Sequence, residues 1–343
     1  MPEKINICYA TSDEYAEYTG ISIYSLLKNT PKSIIGQFFI LDYGIKKANR
    51  NRFHQLEQMY NIEFEYISAE KILVEIKERL GIASFRSSLA TYSRAFIDQI
   101  IPDNVCRLLY IDSDTIVNRS IEELVDFNMG ESAIAGAIAV DQFDSCHATS
   151  EFPLMTKNKI YIGCGIVLYD LNNWRKLNCT KWVCDICNSG IKTPFADQTL
   201  INNAIPEKYI KVLPIKYNYA AHSIPKDMEM KHLQSNNWYT AAECKEAVEA
   251  PVIIHYKGWA VVRPWYDECV SRRTTDYRKY KAESPWRDIP LSVMSEYLKT
   301  VPIKQAKENR YYKRRMEAKN VICRKIISLI RRIDLSVLSK KGS

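Results

Sequence analysis

The segment Arg107-Leu108-Leu109-Tyr110-Ile111-Asp112-Ser113-Asp114 gives the strongest local signal in the chain. Its apolar run predicts a buried strand, and the two acids follow at the carboxyl end of that strand. Two carboxylates placed one residue apart can share one hard divalent cation, which can neutralise a diphosphate. Asp-x-Asp also occurs in simple turns, but loops held at the end of a buried strand are where functional sites are found.

Strand-like and helix-like segments alternate on the N-terminal side of this strand. Apolar runs at 4–9, 37–41 and 62–67 predict strands, while 15–27, 47–60 and 94–100 predict helices. Alternation of this kind favours an α/β fold, with a mostly parallel sheet covered by helices on both faces. Ligands of such sheets bind beyond the carboxyl ends of the strands, where the two acids stand.

The pattern on the C-terminal side is more mixed. Apolar stretches lie at 132–140 and 160–171, a helix opened by an acid is expected over 197–204, and Val252–His255 predicts a last buried strand. Charge density rises after about Tyr280. We therefore expect one catalytic-sized domain over residues 1–280 and a helical, basic tail over 281–343.

Composition excludes several classes of protein. The 343 residues are 46% hydrophobic and 26% charged, with 11 Gly and 13 Pro, which rules out collagen-like and disordered chains. No apolar run approaches 18 residues, and the N-terminus leads into a strand rather than a signal peptide, so we expect a cytoplasmic protein. Scattered cysteines fit reduced thiols, and Cys184-x-x-Cys187 has no second pair to complete a zinc site.

Positive charge is concentrated at the C-terminus. Residues 301–343 hold 13 Lys and Arg against 3 Asp and Glu, although the whole chain has a net charge of only +8. Between 321 and 338, six apolar residues share one helical face and four basic residues lie toward the other. This pattern predicts a helix lying on an anionic membrane surface at the inner face of the cell membrane. The second hypothesis is that this segment docks on a partner helix. The apolar stripe argues against nucleic-acid binding, because phosphate contacts do not require it.

The chain lacks the common phosphate-binding loops. Gly163-Cys164-Gly165 is followed by Ile-Val-Leu-Tyr instead of a third glycine, and no GxxxxGK[ST] sequence occurs. These absences disfavour dinucleotide-dependent redox enzymes and P-loop NTPases. The remaining candidate ligand is a nucleotide diphosphate, whose charge is neutralised by a metal and by cationic side chains.

Further segments accompany the acidic pair in a recognisable order. They are Asn6–Thr11, Tyr15–Leu27, Thr91–Arg94, Phe195–Gln198, His255–Gly258 and Arg263–Trp265. Over about residues 4–270 the sequence resembles glycosyltransferase family 8, whose retaining enzymes have the Rossmann-like GT-A fold and include bacterial lipooligosaccharide galactosyl- and glucosyltransferases and glycogenin. The resemblance implies transfer of a hexose from a UDP-sugar to the sugar of a cell-surface glycan or glycolipid of lipopolysaccharide type, with Mn²⁺ as cofactor.

The resemblance also implies a metal site. Asp112 and Asp114 correspond to the metal carboxylates, with Ser113 between them in the donor site, and His255 corresponds to the third protein ligand. An imidazole beside two carboxylates favours Mn²⁺, although Mg²⁺ is possible. From the residues alone, His255 could equally be a structural histidine that is hydrogen-bonded at the end of a strand.

Other matched positions are implied to bind the donor. Ala10, Ser12 and Tyr15 match the nucleoside pocket, where the Tyr15 ring could stack on uracil or simply pack in the core. Arg94 matches an arginine that reaches the phosphate or sugar of the donor. The alternative interpretation is that Arg94 lies on a solvent-exposed helix face. The cations and backbone of the last motif, namely Lys257, Gly258 and Arg263, are expected to contact the diphosphate.

The predicted catalytic pair is Asp197 and Gln198. By resemblance Asp197 holds donor hydroxyls and Gln198 lies near the anomeric carbon, while Asp197 as a simple helix N-cap is compatible with the same sequence. A glutamine amide carries no full charge and is a poor nucleophile. Retention is therefore better explained by attack on the front face, where the leaving diphosphate helps to deprotonate the acceptor.

The sequence departs from the family at three positions. Gly163 stands where an asparagine contacts the sugar, Ser12 where an aspartate usually reads uracil, and Arg263 where a lysine is expected, in a loop one residue longer. These changes affect the choice of sugar more than metal or diphosphate binding. They also motivate the alternative of a non-catalytic protein that binds a sugar nucleotide or a membrane surface.

Overall fold

A seven-stranded sheet forms the centre of the molecule, in the order β3-β2-β1-β4-β7-β6-β8. The computed structural model describes residues 4–81, 89–139, 160–191, 193, 195–221, 226–234 and 237–318. The strands are β1 (Ile5–Ser12), β2 (Ile35–Tyr43), β3 (Phe64–Ile67), β4 (Arg107–Ile111), β6 (Ile134–Gly136), β7 (Ile166–Asp170) and β8 (Ile210–Val212).

The sheet is mostly parallel, as the alternating pattern predicts. Strand β1 pairs in parallel with β2 and β4, and β2 pairs in parallel with β3. Strand β7 runs antiparallel to both β4 and β6. Along β1 the side chains alternate, so that Ile7 and Tyr9 pack in one apolar layer and Cys8 in the layer on the opposite face. The predicted α/β fold is confirmed.

A second, three-stranded sheet brings distant parts of the chain to the acidic pair. Its order is β5 (Thr115–Val117), β10 (Ile253–His255) and β9 (Tyr219–Ala220). Strand β10 is antiparallel to β5, with His255 opposite Thr115. Because β5 begins directly after Asp114, this pairing places the histidine beside the carboxylates.

Helices cover the sheets. They are α1 (Ala16–Asn29), α2 (Lys47–Tyr60), α3 (Glu70–Leu80), α4 (Leu171–Lys176), α5 (Cys179–Asn188), α6 (Ala196–Ala204), α7 (Lys226–Gln234), α8 (Ala241–Glu249), α9 (Thr274–Glu283) and α10 (Met294–Thr300), followed by a helix over 303–318 that we name α11. Within the described ranges, no helix has the length and apolar character needed to cross a bilayer.

The helix predicted over 94–100 is wrong in detail. The chain forms two short 3₁₀ segments there, Ala90–Arg94 and Ile97–Gln99. The Arg94 carbonyl accepts a hydrogen bond from the Tyr169 hydroxyl at 2.9 Å, instead of a bond from the next turn of an α-helix. This tight turn directs the Arg94 side chain inward.

The first part of the segment predicted as a tail packs on the body of the protein. Trp286 is fully buried, its ring lies 5.2 Å from that of Phe53, and its indole N–H donates to Asn49 Oδ1 at 3.0 Å. A Cβ at Gly20 would overlap the Trp286 ring, so α1 and Trp286 fit each other closely. The predicted amphipathic helix over 321–338 lies outside the described residues.

Candidate active site

The turn between β4 and β5 holds two carboxylates against one imidazole. The Asp112 N–H donates to the Gly165 carbonyl at 2.7 Å, and the Tyr256 N–H donates to the Asp114 carbonyl at 2.8 Å. His255 Nε2 lies 3.1 Å from Asp114 Oδ1 and 3.8 Å from Asp112 Oδ2. One ligand atom from each of these three side chains lies within 4.8 Å of the others.

The donor set fits a divalent metal. Side chains of Asp112 and Asp114 keep 25% and 16% of their area exposed, so their oxygens open onto a pocket instead of being sealed in the core. Carboxylate oxygens suit Mg²⁺ and Mn²⁺ alike, whereas the imidazole nitrogen suits the softer Mn²⁺ better. Asp112, Asp114 and His255 are thus the residues that could hold a metal.

Asn218 orients the histidine. Its amide Nδ2 donates to the Gly163 carbonyl at 3.2 Å, which leaves Oδ1 facing His255 Nδ1 at 2.9 Å. An amide oxygen can only accept a hydrogen bond, so Nδ1 carries the proton. Nε2 is then the ring nitrogen that faces the two carboxylates, which is the position from which it could bind a metal.

Gly165 allows the backbone of β7 to approach this group. A Cβ at that position would lie 2.8 Å from His255 Nδ1 and 2.9 Å from Asp112 Oδ2, inside van der Waals contact for both. Any side chain at 165 would therefore displace the imidazole or the carboxylate. The close approach of the backbone is why glycine is required here.

Arg94 connects the metal carboxylates to the predicted catalytic pair. One of its terminal nitrogens, Nη1, donates to both oxygens of Asp112 at 2.9 and 3.0 Å and to the Cys164 carbonyl at 2.9 Å. Arg94 Nε lies 2.8 Å from Asp197 Oδ2, an ion pair without the alignment of a hydrogen bond. The guanidinium is not on a solvated face, because the residue is 8% exposed.

Charges in this buried network shift each other's pKa values. Burial disfavours the charge of Arg94, but the carboxylates of Asp112 and Asp197 outweigh it and raise the arginine pKa. Burial raises the pKa of Asp197 to about 7, despite the opposing effect of Arg94. Burial acts to raise the pKa of Asp114, but the imidazole of His255 and the charge of Arg263 together outweigh it, so the pKa of this carboxyl is lowered.

Asp197 and Gln198 lie in the first turn of α6. The N-cap of this helix is Phe195, so Asp197 does not cap it, and its nearly buried side chain points to Arg94 instead. Gln198 Oε1 accepts a hydrogen bond from the Cys164 N–H at 3.2 Å. The pair is therefore joined to Asp112 through Arg94 and lies against the backbone of Cys164.

These side chains line one pocket with a volume of about 500 Å³. The residues predicted from sequence that line it are Arg94, Asp112, Asp114, Asp197, Gln198, His255, Lys257, Gly258 and Arg263. Gly258 has φ of 101°, a conformation that favours glycine and turns the loop after β10 toward the pocket. A pocket of this size can accept a nucleotide sugar.

The remaining predicted site residues do not line this pocket. Ala10 and Ser12 lie at the carboxyl end of β1, and Tyr15 stands just beyond it with 38% of its surface exposed and its ring edge against Tyr18. Ser113 Oγ donates to the Ala10 carbonyl at 3.0 Å and accepts from Thr19 at 2.8 Å. The Ser113 hydroxyl therefore ties the acidic turn to β1 and α1.

Gly163 also lies outside the pocket lining. Its N–H donates to the Ala137 carbonyl at 2.8 Å, and a Cβ added to it would lie 3.0 Å from Asn218 Nδ2. The Asn218 amide, which orients His255, therefore lies directly against the side-chain position of residue 163.

Sequence reasoning did not identify several residues of the site. Asn218 belongs to no motif, and only the sheet pairing of β9 with β10 brings it to His255. Trp259 follows the His255–Gly258 motif directly, and Tyr312 comes from α11, yet both line the pocket. Trp259 could have been identified from its position directly after this motif. Nothing in the sequence places Tyr312 near Asp112 and Asp114.

The α/β sheet, with three residues that could hold a divalent metal at the carboxyl ends of its strands, defines the fold class as GT-A, a fold of sugar-transferring enzymes. The model of glycosyl transferase family 8 matches residues 6–269. The chain therefore belongs to glycosyltransferase family 8, as the sequence motifs predict.

Curated relatives cover most of the chain. General stress protein A of Bacillus subtilis is 24% identical over 84% of this chain and 96% of its own length. The lipopolysaccharide 1,2-glucosyltransferase of Escherichia coli is 26% identical over 84% of this chain and 81% of its own length. The lipopolysaccharide 1,3-galactosyltransferase of Salmonella typhimurium is 23% identical over 83% and 80%.

Solved structures share the fold. The galactosyltransferase LgtC, in complex with donor and acceptor sugar analogues, has a TM-score of 0.63 at 21% identity, covering 82% of this chain and 96% of LgtC. The bifunctional glycosyltransferase WbbM has a TM-score of 0.69 at 21% identity and covers 83% of this chain. The chain spans 51% of the length of WbbM.

Proposed function

We propose that this protein transfers a hexose from a UDP-sugar to a sugar acceptor with retention at the anomeric carbon. One observation carries the proposal: in a family 8 chain, Asp112, Asp114 and His255 meet within 4.8 Å and are joined through Arg94 to Asp197. A metal site next to a buried arginine and carboxylate suits a diphosphate and its attached sugar.

The residues that would hold the metal are Asp112, Asp114 and His255, with Mn²⁺ the expected ion. When bound, a divalent ion supplies charge stabilisation to the diphosphate that leaves. Arg94 fixes Asp112 with both carboxylate oxygens engaged, and Asn218 fixes His255, so these ligands need no rearrangement before binding.

Cationic groups of the pocket lining would bind the diphosphate. Lys257 and Arg263 both line the pocket on the loop that follows β10. Arg263 lies beside Asp114, whose charge helps to raise the arginine pKa against the effect of burial, and its Nε has no hydrogen-bond partner. A partly buried guanidinium that lines a polar pocket and has an unused donor is suited to an anionic ligand.

The nucleoside would lie at the end of β1. Ala10, Ser12 and Tyr15 are next to the acidic turn, because Ser113 joins that turn to Ala10. The half-exposed Tyr15 ring can stack on a planar base. This arrangement leaves the inner end of the pocket for the sugar.

At that inner end Asp197 and Gln198 would contact the hexose. Asp197 binds hydroxyls, and Gln198, held by the Cys164 N–H, lies near the anomeric carbon. An uncharged amide does not form a glycosyl ester. The acceptor hydroxyl therefore attacks from the face that UDP leaves, a C–O bond to UDP breaks as the new one forms, and the proton passes to the departing diphosphate.

We propose a saccharide of a cell-surface glycan or glycolipid as the acceptor, since two curated relatives are named lipopolysaccharide glycosyltransferases. Helix α11 supports action at an anionic membrane surface, here the cytoplasmic face. It exposes five basic side chains at helical spacing, Lys304, Lys307, Arg310, Arg314 and Arg315. The basic residues of segment 321–338, whose sequence predicts an amphipathic helix, would add to this attraction.

Release of UDP from UDP-glucose, UDP-galactose and UDP-N-acetylglucosamine tests the proposal. We expect release with Mn²⁺, weaker release with Mg²⁺ and none with EDTA. Asp112→Asn and Asp114→Asn should lower kcat/KM by at least about 10²-fold, because each removes charge stabilisation of the leaving diphosphate. Asp103→Asn is the matched control, since the Asp103 side chain is 99% exposed.

Two results would contradict the proposal. Metal-dependent release that survives in both aspartate variants would remove the metal assignment. Tight UDP binding by the wild-type protein without turnover of any of the three donors would favour the non-catalytic alternative.

A further inference from the structure

Two aromatic side chains stand at the mouth of the pocket, away from its charged inner end. Trp259 is 37% exposed, and its ring centroid lies 6.3 Å from that of Tyr312 with the planes inclined by 37°. Both side chains line the pocket. They form an open, tilted aromatic pair, which we name the rim pair.

Helix α11 holds Tyr312 in this position. The whole helix lies beyond the residues that match the family model. Its inner face packs through the buried side chains of Ala306, Asn309 and Met316. Lys313 forms an ion pair with Glu268. The helix is therefore docked on both sides of Tyr312, and that ring faces the pocket.

The neighbouring tyrosine provides an internal contrast. Tyr311 is 66% exposed, and it does not line the pocket. Successive residues of a helix point about 100° apart, so docking of α11 turns one ring to the pocket and the other to solvent. The two residues share chemistry and local helix but differ in what they face.

Aromatic rings exposed in this manner suit a pyranose. One face of a hexose ring presents mostly C–H groups, which pack on the electron-rich face of tryptophan or tyrosine, while the hydroxyls remain free to bond polar groups or water. A charged diphosphate would gain little from the same surface. The chemistry of the rim pair therefore matches a sugar.

The reaction geometry distinguishes the acceptor sugar from the donor sugar. Attack on the front face requires the acceptor to lie beside the leaving diphosphate, and thus beside the loop carrying Lys257 and Arg263. Trp259 is in that same loop, directly after Gly258. The donor sugar has its own polar surroundings at Arg94 and Asp197, on the inner side of the metal carboxylates.

We infer that Trp259 and Tyr312 form the platform on which the acceptor saccharide stacks; this inference rests on the proposed transfer reaction. A helix outside the family core thereby helps to select the acceptor. The same helix exposes the basic face described above, so acceptor binding and approach to an anionic surface are built on one element.

Steady-state kinetics of Trp259→Ala and Tyr312→Ala test the inference. The probes are UDP-glucose and UDP-galactose as donors, with lactose, methyl β-D-galactopyranoside and methyl β-D-glucopyranoside as acceptors in the presence of Mn²⁺. We expect the KM for the acceptor to rise about 3- to 10-fold in each variant, and more than the KM for the donor. Tyr312→Phe, which keeps the ring, should restore the wild-type acceptor KM.

Tyr311→Ala is the matched control and should match the wild-type protein in acceptor KM and melting temperature. The inference is overturned if the donor KM rises as much as the acceptor KM, because the rim pair would then cover the nucleotide. It is also overturned if Tyr312→Ala equals wild type, or if no probe sugar accelerates UDP release by a wild-type enzyme that hydrolyses the donor. A wild-type protein that releases no UDP from UDP-glucose, UDP-galactose or UDP-N-acetylglucosamine rejects the proposed function itself.

Discussion

At the inner end of the pocket, Arg94 lies between the carboxylates of Asp112 and Asp197, whereas at the mouth Trp259 and Tyr312 meet only through rings 6.3 Å apart. The inner groups come from five chain segments and are fixed by hydrogen bonds between 2.7 and 3.2 Å. The rim pair comes from one loop and one C-terminal helix.

This difference separates what the fold must preserve from what it can vary. A change at the inner end leaves a buried charge or polar group without its partner, which costs more than the loss of the contact itself. A change at the mouth removes part of the exposed aromatic surface that a ligand would contact. We therefore expect inner variants to lose metal and donor chemistry, and rim variants to alter the acceptor.

Among substitutions that add a single methyl group, we expect the one at Gly165 to lower the activity most. Gly165→Ala places a Cβ within 2.9 Å of both His255 and Asp112, so the metal ligands must move. We predict a loss of about 10²-fold or more in kcat/KM for UDP release. Gly163→Ala, two residues away, approaches only Asn218 Nδ2 at 3.0 Å and should lose less than about tenfold. Equal losses in the two variants would contradict the close packing at Gly165.

Removal of the amide that orients His255 should have an intermediate effect. Asn218→Ala leaves the imidazole free to rotate and to change tautomer, and we predict Mn²⁺ affinity weaker by about 10- to 100-fold. His255→Ala should weaken Mn²⁺ more than Mg²⁺, since oxygen ligands alone suit Mg²⁺. Titration of both ions by calorimetry checks the two variants. An unchanged Mn²⁺ affinity in Asn218→Ala would show that other contacts orient the ring.

A truncation can separate the part of the C-terminal segment that the structure describes from residues 319–343. A protein ending at Ala318 keeps Trp286, Met294 and Met316 in place and should retain its melting temperature. It should bind anionic phosphatidylglycerol vesicles more weakly than the full chain, because each basic residue near such a surface contributes about 1 kcal/mol. Vesicle sedimentation measures this, and neutral vesicles are the control. Equal binding by the two forms would remove the proposed role of residues 319–343.

A cut after Tyr280 should have a different outcome. It removes Trp286, whose buried ring fills the space beside Gly20, and loss of a buried tryptophan side chain alone costs about 3–5 kcal/mol. We therefore predict that the shorter protein is strongly destabilised, which chemical unfolding would measure. A cooperative, fully stable protein ending at 280 would contradict the packing of this segment.

The smallest predicted effect is on the pH dependence of stability. The pKa of Asp197 is raised to about 7 by burial, so the folded protein holds a proton that the unfolded chain loses near pH 4. This contribution to stability is complete below about pH 4 and is lost as the pH rises to about 7. Without metal, Asp197→Asn should therefore lose less stability than wild type between pH 5 and pH 8 in urea unfolding. Parallel curves for the two proteins would contradict the buried carboxyl.

The sequence predicts the inner end better than the mouth for a physical reason. Asp112 and Asp114 lie between β4 and β5, and the antiparallel pairing of β10 with β5 brings His255 beside them, so motif and topology together place these residues. Asn218 and Gly165 act through close packing, which has no local pattern. Tyr312 reaches the pocket only because α11 docks on the domain, an event decided by tertiary contacts such as Lys313 with Glu268.

The boundary of the tail illustrates the same limit. High charge density after Tyr280 predicts a separate segment, since charged residues usually face solvent. Between the charges, however, Trp286 and Met294 are buried, and single apolar residues at irregular spacing give no periodic signal. The helix predicted over 94–100 is wrong for a similar reason. The Arg94 carbonyl accepts a tertiary hydrogen bond from Tyr169 instead of a hydrogen bond within a helix.

The central claim is that the inner end is a metal site for a nucleotide diphosphate. Electron paramagnetic resonance of free Mn²⁺, titrated with protein and UDP, measures it directly. We predict one bound Mn²⁺ per wild-type chain, bound more tightly with UDP, and none at the same concentration for Asp114→Asn, with Asp103→Asn equal to wild type. Mn²⁺ binding unchanged in Asp114→Asn, or unaffected by UDP in the wild-type protein, would contradict the account.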